Sequence, residues 1–221
     1  MTRSTARVKM GWIFQASFAD APKSQVRFRM RVLRAEGYAV VPWRNGGGTT
    51  REIAVHHDAR LHHDFLWRLT IAIVAQSGPF SRFDGIDRTI ALLDGEGMWL
   101  RSPTQTTVLN VATPPFSFSG ETEVVCELIG GSTIDLNAMT RRDFFSHTLR
   151  RERFVGSTAV NGAADQTFVV CNACVELSRP GGASLGALDT IAEIYAGEEL
   201  KLNSAFPAEL LIVELTQVNR S

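Results

Sequence analysis

An all-β fold follows from three features of the sequence. From Tyr38 onward apolar residues recur with period two, turn residues break the pattern about every ten residues, and one strand–turn–strand segment recurs about half a chain later. The first ordered strand begins at Met30-Arg31-Val32-Leu33, and the next candidate, residues 38–43, carries β-branched Val40 and Val41 and runs into Asn45-Gly46-Gly47-Gly48, where glycine permits positive φ. Residues 49–56 resume with Thr49, Thr50, Ile53 and Val55, which favour the pleated backbone. In residues 65–74, Trp67, Leu69, Ile71 and Ile73 share one face while Arg68, Thr70, Ala72 and Val74 share the other. Residues 88–94, 98–101, 107–111 and 124–129 follow as short apolar strands, separated by Asp94-Gly95-Glu96-Gly97, Pro114-Pro115 and Ser119-Gly120.

Asp94-Gly95-Glu96-Gly97 reads as the clearest β-hairpin. Its surroundings, from Thr89 to Leu100, align with Thr190 to Leu202 after one residue of slip, and an aspartate, Asp87 or Asp189, precedes each copy. The repeat suggests two similar all-β units meeting between Met139 and Phe168, against the alternative of chance likeness between strand–turn–strand segments. The expected organisation is an N-terminal extension over 1–29, a first unit over 30–142, a connecting segment over 143–167 and a second unit over 168–221. Within the connection, residues 141–153 suit a short helix or an irregular crossover, and the Gly, Ala, Ser and Asn residues of 155–166 suit a loop.

Composition narrows the function. Lys and Arg total 23 against 23 Asp and Glu, a net charge of zero, which removes the attraction that nucleic-acid or polybasic membrane binding uses. With 44% hydrophobic and 21% charged residues the chain is globular rather than disordered. Residues 66–74, the best apolar run, fall well short of the roughly 20 a membrane helix needs, and Arg68 and Thr70 interrupt them. Three cysteines argue against a secreted disulfide framework and for a reducing, cytoplasmic setting. Arg3, Arg7 and Lys9 ahead of Trp12, Ile13 and Phe14 faintly echo a signal peptide, but Gln15, Ser17 and Asp20 break the apolar stretch.

The chemistry-bearing candidates are few. The three glycines of Trp43 to Ile53 either form an anion-binding nest or turn a barrel corner, and the Lys of a phosphate-binding loop is missing. Arg68, flanked by small polar residues on its face, suits a carboxylate because its planar fork donates two parallel hydrogen bonds; a plain surface arginine is the alternative. His56-His57 and His62-His63 sit at a hairpin tip without ligands converging from rigid elements, and His147 is isolated. Cys171 and Cys174 lie in a strand pattern with no second pair to complete four thiolates, so they read, with Cys126, as small buried apolar residues.

Taken in order, Pro42 to Ile53, Trp67 to Ala72, Gly78-Pro79-Phe80-Ser81, Gly85 to Thr89, Phe116 to Gly120 and Asp135 to Arg142 follow a specific pattern. On these motifs the chain resembles the HutD/Ves family, densely over residues 40–142 and beyond that only in strand rhythm. The resemblance implies a cupin-type double-stranded β-helix, two barrels per chain (a bicupin), with little helix. It also implies binding, rather than turnover, of a histidine-degradation intermediate. Carried onto this chain, the implied ligand-binding residues are Trp43, Asn45, Gly46, Gly47, Thr49, Thr50, Arg51, Glu52, Arg68, Phe80, Ser81, Arg88, Asn137 and Met139. Among them Arg68 and Arg88 suit carboxylate recognition, Thr50 and Ser81 orienting hydrogen bonds, and Trp43 and Phe80 apolar walls.

Metal cupins usually present a His-x-His pattern, and this chain has none, so neither metal nor other cofactor is expected. The expected partner is a small carboxylate such as urocanate, formimidoylglutamate or formylglutamate; a homodimer is possible, and nucleic acid and membrane are not expected. Two alternatives stand beside this binding role. One is a small-acid hydrolase or isomerase using Glu52 as general base; the other is a stress-associated protein of the Ves branch.

Overall fold

A computed structural model describes residues 30–58, 65–178 and 182–218. The expected extension over 1–29, and His62 and His63, lie outside the described residues. The strands, in chain order, begin with β1 (Arg31–Leu33), β2 (Ala39–Pro42), β3 (Gly48–His57), β4 (Phe65–Val74), β5 (Gly78–Pro79) and β6 (Ile86–Asp94). They continue with β7 (Met98–Arg101), β8 (Thr106–Leu109), β9 (Phe116–Ser119), β10 (Val125–Leu128), β11 (Thr133–Arg141) and β12 (Phe145–Asn161). The last are β13 (Gln166–Cys171), β14 (Val175–Leu177), β15 (Ser184–Leu185), β16 (Thr190–Ile194) and β17 (Glu199–Gln217). Among the described residues the helical content is one 3₁₀ turn, Ala35–Gly37.

These strands form three antiparallel sheets. Sheet I has the order β2-β3-β4-β11-β6-β9, sheet II the order β5-β10-β7-β8, and sheet III the order β1-β16-β13-β17-β14-β15 with β12 also on β17. Period-two patterning explains the layering, because successive side chains of one strand enter different cores. From β4, Ala72 and Val74 pack with Ile90 and Leu92 against Met98, Leu100, Leu109 and Cys126 of sheet II. From the opposite face of β4, Trp67, Leu69 and Ile71 pack with Leu136 and Ala138 against Phe168, Val170, Leu211 and Val213 of sheet III. Leu69, Ile71 and Leu136 are fully buried, and each such side chain contributes roughly 2 kcal/mol of transfer free energy. Sheet III curls on itself to enclose a third core that includes Val160, Val169, Leu185, Ile191, Leu202 and Ile212.

Four expectations are corrected. Asp94-Gly95-Glu96-Gly97 is no hairpin: β6 pairs with β11 and β9, and β7 with β10 and β8, so the turn carries the chain from sheet I to sheet II. Its repeat behaves likewise, since β16 and β17 flank β13 without pairing with each other. Residues 141–153 are neither helix nor crossover, and 155–166 are not mainly loop. β12 runs to Asn161 along β17, bending at Gly156 (φ +79°), where the register shifts. Half-buried and exposed residues alternate over residues 145–150, which is strand rather than helix patterning. The third correction concerns the first unit: β1 pairs with β16 and so belongs to sheet III. The fourth is Cys174, which is exposed because β13 ends at Cys171, whereas Cys126 and Cys171 are buried.

Candidate functional site

The inner face of sheet I, toward sheet II, carries an ordered lattice of polar side chains. Antiparallel register sets their neighbours, and alternation sets their face. One cross-strand row is Thr50, Ala72, Asp135 and Leu92 on β3, β4, β11 and β6. The next is Glu52, Thr70, Asn137 and Ile90, and the third is Arg68, Met139 and Arg88 on β4, β11 and β6, continued by Phe118 on β9. Six residues singled out from the sequence, Thr50, Glu52, Arg68, Arg88, Asn137 and Met139, therefore share one surface although they come from four strands.

Two arginines mark this surface at different depths. Arg68 stands at the rim, its side chain 26% exposed, and its Nε donates to Glu52 Oε2 at 2.8 Å. Arg88 is only 5% exposed. Its guanidinium carbon lies 4.8 Å from the ring centroid of Phe118, 5.4 Å from Phe80 and 5.5 Å from Phe83, and Nη1 donates to the Ser81 carbonyl at 3.1 Å. Ring quadrupoles supply part of the solvation that burial removes. Burial still pulls Arg88 down to about 10, opposed by the charge of Asp135. Asp135 is 2% exposed. Burial pushes its carboxyl up to about 7, and nearby Arg88 acts in the opposite sense. Cys126 of sheet II faces the same interior, where burial first and then Asp135 push its thiol up to about 12.

The glycine motif forms a corner beside this surface. Asn45 Oδ1 accepts from Gly47 N–H at 3.0 Å, and Gly46 N–H donates to the Trp43 carbonyl at 3.0 Å, so two donors an anion nest would need are already engaged. Gly48 must lack a side chain, because a Cβ there would lie 2.2 Å from the Ile73 carbonyl oxygen. The corner places Trp43 so that its indole N–H donates to Thr50 Oγ1 at 2.8 Å. Trp43, Asn45, Gly47, Gln76, Pro79 and Phe80 line a small crevice there.

Not every singled-out residue joins the lattice. Thr49 and Arg51 pair with Ile73 and Ile71 and point to the opposite face of sheet I. Ser81 contributes its carbonyl oxygen, not its exposed hydroxyl. Conversely, Asp135, Thr70, Phe83 and Phe118 are not among the ligand-binding residues expected from the sequence, although all but Phe83 lie in its motifs. The alternation Asp135, Asn137, Met139 is the signal that could have found the first.

The histidines have other partners. His56 stacks on Trp67 with ring centroids 5.8 Å apart, and burial lowers its pKa. His147 lies between sheets I and III, bonded through Nδ1 to Thr140 Oγ1 at 2.7 Å and through Nε2 to Thr89 Oγ1 at 2.9 Å. Burial pulls its pKa down to about 4, against the pull of Asp87. Among the described residues, no three His, Cys, Asp or Glu side chains are grouped to hold a metal ion, and no helix is long and apolar enough to cross a membrane.

Curled antiparallel sheets, almost no helix and a polar wall facing an apolar sheet define a cupin-like protein. Solved structures of low identity support that fold, among them YhhW from Escherichia coli, with a TM-score of 0.60 at 9% identity. The HutD family model matches residues 35–211, and the chain belongs to that family. An uncharacterised 21.2 kDa protein in the hutC 3′ region of Pseudomonas putida is 35% identical over 154 residues, 69% of this chain and 80% of the relative. Protein Ves of Citrobacter koseri is 43% identical over 102 residues, 46% of this chain and about half (52%) of Ves. Among solved structures, HutD from Pseudomonas fluorescens, in a formate condition, superposes with a TM-score of 0.73 at 31% identity, covering 86% of this chain and all of that one. A conserved protein of unknown function from Pseudomonas aeruginosa gives 0.75 at 32%, with the same coverage.

Proposed function

We propose that this chain binds a small carboxylate on the inner face of sheet I and acts, as a HutD-like protein, in regulating histidine utilisation. The observation that carries the reading is Arg88. A buried guanidinium held by three aromatic rings and one carbonyl keeps its Nε–H unpartnered. A buried donor of that kind suits an anion better than an apolar ligand. Arg68 at the rim supplies a second positive charge whose only described carboxylate contact is Glu52, so a dicarboxylate spanning rim and interior would meet both. Formimidoylglutamate and formylglutamate carry two carboxylates and could meet both arginines, whereas urocanate carries one and would meet Arg88. The apolar interiors of sheets I and II and of sheet III would then be the two barrels of a bicupin, with the site in the first.

Thermal denaturation of chelator-treated protein with each of these acids, and with formate, tests the reading. A ligand at a hundredfold over its Kd stabilises by about 2.7 kcal/mol, which raises Tm by roughly 5–10 °C for a chain of this size. Arg88→Met should abolish the shift while the protein stays folded. Unchanged binding in both Arg88→Met and Arg68→Ala would remove the site from this surface. Turnover of any of the acids by the purified protein would instead favour the enzyme role for Glu52.

A further inference from the structure

The interior end of the lattice holds three buried polar atoms without partners: Arg88 Nε, Asp135 Oδ1 and Asn137 Oδ1. Asp135 and Asn137 are 2% and 9% exposed, and neither side chain hydrogen-bonds to any described residue. Folded proteins leave few such atoms unpaired, and here three share one wall. They do not satisfy one another, since no ion pair joins Arg88 to Asp135, and the guanidinium is held by Phe80, Phe83, Phe118 and the Ser81 carbonyl instead. Two of the orphans are acceptors and one is a donor. A carboxylate alone answers only the Arg88 donor and leaves Asp135 Oδ1 and Asn137 Oδ1 without one.

We infer that the site selects a carboxylate that also carries an N–H donor, with Asp135 and Asn137 accepting from the N–H while Arg88 holds the carboxylate. The inference rests on the carboxylate reading above and narrows it. Asp135 and Asn137 stand two residues apart on β11, so their side chains leave the same face. Arg88, opposite Met139 on β6, flanks them. The arrangement requires donor and carboxylate on one small molecule, which excludes simple fatty or aromatic acids.

Two probe pairs, each differing at the N–H, test this on the full chain by calorimetric titration. One pair is trans-urocanate against trans-3-(oxazol-4-yl)acrylate, in which oxygen replaces the ring N–H and the second nitrogen is kept; the other is N-formylglutamate against the ester in which oxygen replaces its N–H. The N–H member of at least one pair should bind at least about tenfold more tightly, as expected when its absence leaves buried acceptors unpaired. In Asp135→Ala and Asn137→Leu that preference should shrink to about twofold or less, the effect on the N–H member being the larger. If, in every pair that binds, both members bind equally to the wild-type protein and Arg88→Met abolishes both, the carboxylate site stands and the N–H selection is overturned. If no member of either pair binds, both fall together. The wild-type comparison decides even if a variant fails to fold.

Discussion

Asp135 gives the sharpest prediction about stability. Its carboxyl is buried between Arg88 and Cys126 and raised from 3.8 to about 7. The folded protein therefore keeps this proton through a pH range in which the unfolded chain has lost it. Where the folded state binds more protons, stability falls as pH rises. The contribution is complete below pH 3.8 and is lost progressively as pH climbs to about 7, the folded value. At about 1.4 kcal/mol per pKa unit the total loss is about 4 kcal/mol. Asp135→Asn keeps the shape and one acceptor but cannot titrate. Urea unfolding of both proteins from pH 4 to pH 8.5 should give nearly equal stabilities at the acid end. At the alkaline end the variant should be more stable by about 4 kcal/mol, or roughly 8–16 °C in Tm. A difference between the two proteins that stays constant across this range would refute the assignment of Asp135 as a buried carboxyl without a hydrogen-bonding partner.

Three further outcomes follow from other parts of the fold. His147, held neutral and pulled down to about 4, binds its proton more readily in the unfolded chain, so stability should fall by about 3 kcal/mol as pH drops from 6.5 toward 4. This slope opposes that of Asp135, so the wild-type curve should be flatter than that of His147→Gln or Asp135→Asn, which unfolding curves will show. Gly46→Ala meets no atom within 4 Å but must hold φ +71°, at a cost of about 1 kcal/mol. Gly48→Ala, driven into the Ile73 carbonyl, should cost about 2–3 kcal/mol or more, and denaturation of both variants checks the order. Glu209 accepts from Arg151 and Arg153 at 2.8 Å each, and those arginines also bond the carbonyls of Leu92 and Val111, tying sheet III to β6 of sheet I and to the turn that follows β8 of sheet II. Glu209→Ala should lower stability by about 3 kcal/mol and should loosen this junction first, as hydrogen exchange at β12 would report.

The sequence by itself determined the all-β class, most strand positions and the two faces of β4, because period two is a local property. Trp67, Leu69 and Ile71 separate from Arg68, Thr70 and Ala72 whatever the strands beside them. The motif residues Thr50, Glu52, Arg68, Arg88, Asn137 and Met139 were likewise visible in the chain. What local pattern could not determine was which strands lie side by side. The turn at residues 94–97 looks like a hairpin, yet only the pairing of β6 with β11 and of β7 with β10 shows that it crosses between sheets. The charged stretch after Arg141 became strand because β17 offers a partner along nearly its whole length. Asp135 lay in plain view, but its meaning depends on Arg88 and Cys126, brought beside it from 47 and nine positions away along the chain. Register and burial, both products of long-range packing, turned an ordinary aspartate into an unpartnered acid in an apolar interior. The same packing left Thr49 and Arg51, two neighbours in the most conspicuous motif, on the far side of the sheet.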